Sequence, residues 1–268
     1  MLQMESALQD VLRGNMAGIS ACDAVSVAML LPKSARQRVL HCNMADIFVS
    51  LRPMAAKLII FDYDGTLGDT QGYIVSTMHS TMQELGLEYR DADACSACIG
   101  LPLKECFRQL YPDFEDERLE KCMASYRRIF QENRGRMQVE LFPGVKETIL
   151  KLWREGYMLS VASSRSSRSL KEFLAEEGIL ECFSLVIGAD NVTHAKPDPE
   201  PVLKTLAALG VEADDAWVVG DMPVDILMGV RAGCRTCGVS YGNSNRKDLL
   251  AAGARAVIDH FADLPSVL

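Results

Sequence analysis

The chain has no apolar stretch approaching the roughly 18 residues of a membrane span, which excludes a helical membrane-spanning protein. It has no excess of positive charge: 28 lysines and arginines against 36 acids give a net charge of −8. A general nucleic-acid surface needs a basic face, so that class of partner is excluded too. No basic start followed by a long apolar run marks a secretory leader. Nine cysteines form an odd count without a disulfide framework and read as reduced thiols. These absences predict a soluble protein of the cytoplasm. Oligomeric state stays open.

What is present is an ordinary globular composition, 49% apolar and 24% charged, which can bury a real core. Two Cys-x-x-Cys pairs, Cys95/Cys98 and Cys234/Cys237, have ligand spacing for zinc. All four would have to converge tetrahedrally, and no other feature draws them together, so the default is small buried thiols. Residues 1–53 stand apart from the pattern that follows. They are expected to be a loosely ordered extension, with Met54 a usable start, or else a partner-binding helix or extra element.

The most informative run is Leu58-Ile59-Ile60-Phe61-Asp62-Tyr63-Asp64-Gly65-Thr66-Leu67. Four apolar residues followed by two carboxylates two positions apart read as a buried parallel strand presenting acids at its tip. Ligands in open α/β sheets sit just beyond such strand ends. Two crowded aspartates repel unless a cation, a proton or a lysine compensates them. A capped turn is the plainer reading, since Asp and Gly are ordinary turn residues.

Three further segments follow in order, each after another apolar run. Leu159–Ala162 ends at Ser163-Ser164, Leu185-Val186-Ile187-Gly188 leads to Lys196-Pro197-Asp198-Pro199, and Trp217-Val218-Val219 opens Gly220-Asp221-Met222-Pro223-Val224-Asp225. From Lys57 onward, strands alternate with helical stretches, which predicts an α/β doubly wound parallel sheet. Helices are expected near 143–155, 166–177 and 198–209, the last with Asp198 as cap and Pro199 in the first position. Strands near 234–240 and 256–259 close the sheet. The gap between the first strand and the Ser163 strand far exceeds the roughly 30 residues of a βαβ unit. Amphipathic helices near 70–86, 101–110 and 116–134 fill it. The domain reading is therefore a core of residues 54–70 and 141–268 with a helical insertion over 71–140.

An acid pair, a hydroxyl, a lysine and a second acid pair on one sheet edge resemble the four motifs of the haloacid dehalogenase-like hydrolases. The resemblance runs from about Met54 to the C-terminus and implies a Rossmann-like core with a mobile helical cap. It implies a Mg²⁺-dependent phosphomonoester hydrolase acting on a small phosphorylated metabolite. By that resemblance Asp62 is the nucleophile that forms an aspartyl-phosphate, and Asp64 is the general acid and base. Relatives that cleave carbon–halogen or carbon–phosphorus bonds usually lack the second acid. Asp221 would complete a Mg²⁺ site with the Asp62 carboxylate and the Asp64 carbonyl, and Asp225 would orient Lys196 or a metal-bound water. Lys196 and Ser163 would hold phosphoryl oxygens, helped by the N–H groups of Tyr63, Gly65 and Ser164. Four aspartates against one magnesium and one lysine leave the site neutral only if Asp64 keeps its proton. Each motif also has a plain reading: a solvated Lys196-Pro197 loop, Ser163 as a helix cap, Gly220-Asp221 as a turn.

Within the family the chain looks closest to phosphoglycolate phosphatase-like members, through Glu84-Leu85-Gly86, Ile99-Gly100-Leu101-Pro102-Leu103 and the tail Ala251–Asp259. Ile74 stands where β-phosphoglucomutase relatives usually carry a His, which counts against a mutase; pyrophosphatase and nucleotidase remain alternatives. Ser163-Ser164 replaces a frequent Thr-Asn and Ala195 a frequent Gly. Gly68 replaces a larger apolar residue and is expected to widen the pocket mouth. Lys104 and Arg108, at i and i+4, either meet a substrate carboxylate or are simply solvated.

Overall fold

The structure is a computed structural model that describes residues 57–134 and 139–268. The extension 1–53 and Met54 lie outside the described residues.

Strand β1 (Leu58–Phe61) is fully buried, and its residues alternate between two cores. Ile59 and Phe61 join one apolar cluster, Leu58 and Ile60 the other. Apolar residues on both faces are what a central strand of a covered sheet requires. After the Asp62–Leu67 turn comes β2 (Gly68–Asp69), then four helices: α1 (Gln71–Glu84), α2 (Ala92–Ser96), α3 (Leu103–Leu110) and α4 (Asp116–Asn133). Strand β3 (Glu140–Leu141) returns and pairs antiparallel with β2, so a two-strand ribbon marks where the helical insertion leaves and rejoins the core. These strands are too short to show periodicity, and the sequence reading placed none there.

The chain continues through α5 (Val145–Arg154), β4 (Met158–Ala162), α6 (Ser167–Glu176), β5 (Phe183–Ile187) and α7 (Glu200–Leu209). It ends with β6 (Ala216–Gly220), α8 (Pro223–Arg231), β7 (Arg235–Val239), α9 (Arg246–Ala251) and β8 (Ala256–Ile258). The six long strands form one sheet in the order β5-β4-β1-β6-β7-β8, and all of its pairings are parallel. Helices α5 and α6 contribute Ile149, Leu152, Leu170 and Leu174 to the Phe61 core. Helices α7 and α8 contribute Val202, Leu206 and Met228 to the Ile60 core. The sheet is therefore doubly wound. Regular helix in α7 starts one residue later than expected, yet Asp198 Oδ1 accepts from the Glu200 N–H at 2.9 Å, so the capping contact forms.

The insertion has its own apolar cluster, built on Met78, Met82, Phe107, Leu119 and Tyr126. Cys95 and Cys98 are buried there as free thiols, whereas Cys234 and Cys237 flank or lie on β7 of the core. Among the described residues no cysteine belongs to a cluster of metal-ligating side chains. Burial pushes the Cys95 and Cys98 thiols up to about 11, which keeps them unreactive.

Candidate active site

Strand β1 delivers Asp62 to the sheet's carboxyl edge, where the Asp62 N–H donates to Val219 O of the neighbouring strand. The chain then turns back sharply. The N–H groups of Thr66, Leu67 and Gly68 converge on Tyr63 O, and Gly65 N–H donates to Gly68 O at 3.0 Å. Gly65 takes φ +81°, and a Cβ on it would sit 2.2 Å from Asp221 Oδ2. Only glycine fits a left-handed turn pressed against a carboxylate. Because its N–H is spent inside the turn, Gly65 does not offer the oxyanion contact expected of it. The N–H groups of Tyr63 and Ser164 make no hydrogen bond among the described residues, and the Asp64 carbonyl accepts none.

Lys196, on the loop after β5, is buried between two carboxylates. Its Nζ lies 2.5 Å from Asp62 Oδ1 and 2.7 Å from Asp225 Oδ1. Asp225 Oδ2 accepts the Met222 N–H at 3.0 Å, capping α8. Asp221 follows β6 directly; Thr66 Oγ1 donates to its Oδ1 at 3.0 Å, and Asn243 N and Nδ2 donate to its Oδ2 at 2.7 and 2.8 Å. Asp62 Oδ2 is buried without a partner among the described residues. One carboxylate oxygen each of Asp62, Asp221 and Asp225 lies within 4.8 Å of the others.

Three buried acids so close are short of positive charge. Burial, the largest influence, drives the Asp62 carboxyl well above its ordinary 3.8; Lys196 opposes this, while Asp225, Asp221 and Asp64 push it further up. Burial, followed by Asp225, pushes Asp221 up to about 7 against the Asn243 and Thr66 hydrogen bonds. Burial works against the Lys196 charge, but Asp225 and Asp62 outweigh it and hold the ammonium above its ordinary range. The Asp62 and Asp221 carboxylates and the unbonded Asp64 carbonyl together offer an all-oxygen donor set, which fits a hard divalent cation.

Arg165 is the residue the sequence reading missed. Its Nε lies 2.7 Å from both Asp64 oxygens, and Thr70 Oγ1 donates to Asp64 Oδ1 at 2.6 Å. The guanidinium sits over Phe130, Phe173 and Tyr63, with ring centroids at 4.9, 5.0 and 5.8 Å. Arg165 is a second cation at the site, which the charge count from sequence left out. The only hint in the sequence was a cation directly after the Ser163-Ser164 pair.

Ser163 is buried at the end of β4, its Oγ 3.5 Å from the Arg165 N–H. The Ser164 hydroxyl turns the other way and donates to Gly100 O of the insertion at 2.7 Å. Gly68 does not widen the entrance: a Cβ there would stand 2.9 Å from the Tyr63 ring, which fills the space. Lys104 pairs with Asp116 and Glu120, and Arg108 with Glu105 and Asp116, all within the insertion. Between core and insertion lies a cavity of about 660 Å³, lined by Asp64, Ser164 and Arg165 on one side and Lys104, Tyr126 and Arg127 on the other.

A doubly wound parallel sheet with an acid pair, a lysine and a second acid pair at its carboxyl edge defines a class of hydrolase, and residues 59–239 match the family model described as haloacid dehalogenase-like hydrolase. The chain belongs to the haloacid dehalogenase-like hydrolases and is a phosphatase of that family. It is 38% identical over 209 residues to the "Probable phosphatase IndB" of Dickeya dadantii, covering 77% of this chain and 91% of that one. It is 34% identical over 189 residues to the pyrophosphatase PpaX of Halalkalibacterium halodurans, covering 70% and 85%. A haloacid dehalogenase-like family hydrolase from Streptococcus pneumoniae shares the fold, with a TM-score of 0.71, 20% identity, and 80% and 98% of the two chains covered. No helix of the described residues is long and apolar enough to cross a membrane.

Proposed function

We propose that the chain is a Mg²⁺-dependent phosphomonoester hydrolase that works through an aspartyl-phosphate on Asp62. The observation that carries this reading is the Asp62 carboxylate: one oxygen is fixed by Lys196 and the other is bare, buried and at the sheet's open edge. A desolvated, unshared carboxylate oxygen held in one orientation is suited to attack phosphorus.

In the first step Asp62 Oδ2 bonds to phosphorus as the bond to the leaving oxygen breaks, and Asp64, entering the step as the carboxylic acid, supplies the proton that oxygen needs. In the second, water attacks phosphorus, Asp64 takes its proton, and the bond to Asp62 breaks to release inorganic phosphate. Lys196, Ser163 and the free N–H groups of Tyr63 and Ser164 hold the phosphoryl oxygens. Asp62, Asp221 and the Asp64 carbonyl would hold Mg²⁺, which when bound lowers the repulsion between an anionic nucleophile and an anionic phosphate. Asp225 positions Lys196. The helical insertion acts as the cap that encloses the substrate and excludes water.

A pyrophosphatase is the second reading, favoured by the similarity to PpaX. Phosphate release from phosphoglycolate, pyrophosphate, sugar phosphates and nucleotides, with and without Mg²⁺, tests both. Mg²⁺-dependent release lost in Asp62→Asn supports the mechanism, and release that ignores either condition removes it.

A further inference from the structure

We propose that Arg165 is a latch on Asp64 that a second anionic group of the substrate releases. The cavity between core and insertion is then a subsite for phosphate esters or anhydrides bearing another oxyanion. The inference rests on the reading of Asp64 as proton donor.

Both Asp64 oxygens are engaged in this structure, by Arg165 Nε and by Thr70. A carboxylate clamped this way is not free to turn toward a leaving oxygen or to carry a proton to it. The clamp has to open before the first step. Among the described residues no other acid pairs with Arg165. Three of its neighbours are aromatic faces, which hold a cation without neutralising it. The other carboxylate of the cavity, Asp190, is committed to the N–H and hydroxyl of Ser167 at 2.6 and 2.7 Å.

Arg165 also has unused capacity. Its side chain is only 10% exposed. Its Nη2 lies 2.7 Å from Asp64 Oδ1 without aiming a hydrogen at it, and finds no other hydrogen-bond partner among the described residues. Guanidinium presents five donors in a planar fork that matches a carboxylate or phosphate. An anion entering the cavity meets a buried, under-bonded cation and competes with Asp64 for it. Arg127 of α4 lines the opposite wall and makes no ion pair among the described residues, so it supplies a second contact. A substrate with a neutral leaving group brings no competitor, and Asp64 stays clamped.

The test compares kcat/KM, with Mg²⁺, for phosphoglycolate, pyrophosphate and the neutral control 2-hydroxyethyl phosphate. The wild type is expected to favour at least one anionic substrate over the control by about tenfold or more. Which one leads separates a carboxylate key from a phosphate key. Arg165→Gln should bring the ratio close to one and raise kcat on the neutral ester, which loss of a merely structural contact would not do. Arg165→Lys, with charge but no fork, should give an intermediate ratio. Arg127→Gln should raise KM for the anionic substrate without raising kcat on the control. A wild-type ratio near one overturns the latch while leaving the hydrolase standing. So does a ratio unchanged in Arg165→Gln. If Arg165→Gln does not fold, wild-type ratios in both Arg165→Lys and Arg127→Gln overturn it. Release from none of the three substrates by the wild type removes the hydrolase reading and the latch with it.

Discussion

The sheet edge and the helical insertion use the same charged residue types to opposite ends. At the edge, Asp62, Asp64, Lys196, Asp221 and Asp225 are all buried, and each is bonded to another member of the site or to a hydroxyl or amide aimed at it. In the insertion, the partners of Lys104, Arg108 and Arg128 all stand well out in water. Water screens the second set, so each pair counts for little. It is shut out from the first, so every charge there depends on its neighbours. The mutually dependent charges therefore concentrate in the core, and on the proposed reading the insertion adds enclosure and the Arg127 contact.

The largest break in this contrast comes from Asp62→Asn, which keeps the shape and removes the proposed nucleophile. Phosphate release should fall by about a thousandfold or more with the melting temperature little changed; retained turnover would move the chemistry elsewhere. Lys196→Met comes next. It leaves Asp62 and Asp225 buried and unpaired, and denaturant melts should show a loss of about 3–5 kcal/mol. A loss no greater than that of a surface lysine would mean water reaches the edge.

The third test is pH. Asp221 ordinarily titrates near 3.8 and is pushed up to about 7, so between those values the folded chain keeps a proton the unfolded chain has released. This group's contribution to stability is full below 3.8 and falls as pH rises to about 7. A metal needs the ionised carboxylate, so the rise in melting temperature on adding Mg²⁺ should be larger at about pH 8 than at about pH 6. An equal rise at both would place the metal away from Asp221.

Smaller effects sharpen the boundary between the two regions. Ser164→Ala removes the hydroxyl that reaches Gly100 O and should cost about 1 kcal/mol, read as a modest change in KM. Arg108→Ala, whose guanidinium is screened and paired within the insertion, should leave kcat/KM within about twofold. A larger fall on carboxylate substrates would restore Arg108 as a binding residue.

Much of the core was legible because its signals are local. Leu58–Phe61 is apolar on both faces, so it had to be a central strand, and the acids that follow had to sit at its tip. The helices of the insertion showed their spacing over eight or more residues, except α2, whose five residues are too few. What stayed hidden depends on loops meeting across the chain. Arg165 and Asp64 are 101 positions apart, and the loop carrying Asn243 reaches Asp221 only once β7 lies beside β6. Gly68 misled for a local reason: the ring that fills its space belongs to Tyr63 of the same turn and approaches only once the turn closes.

The most direct test of the central claim is to trap the enzyme during turnover with Mg²⁺, by acid quench, and map any modification by mass spectrometry. The account predicts one phosphoryl group on the peptide holding Asp62, labile to alkali and absent from Asp62→Asn. Sustained turnover with no phosphorylated Asp62, or the group on another residue, would contradict it.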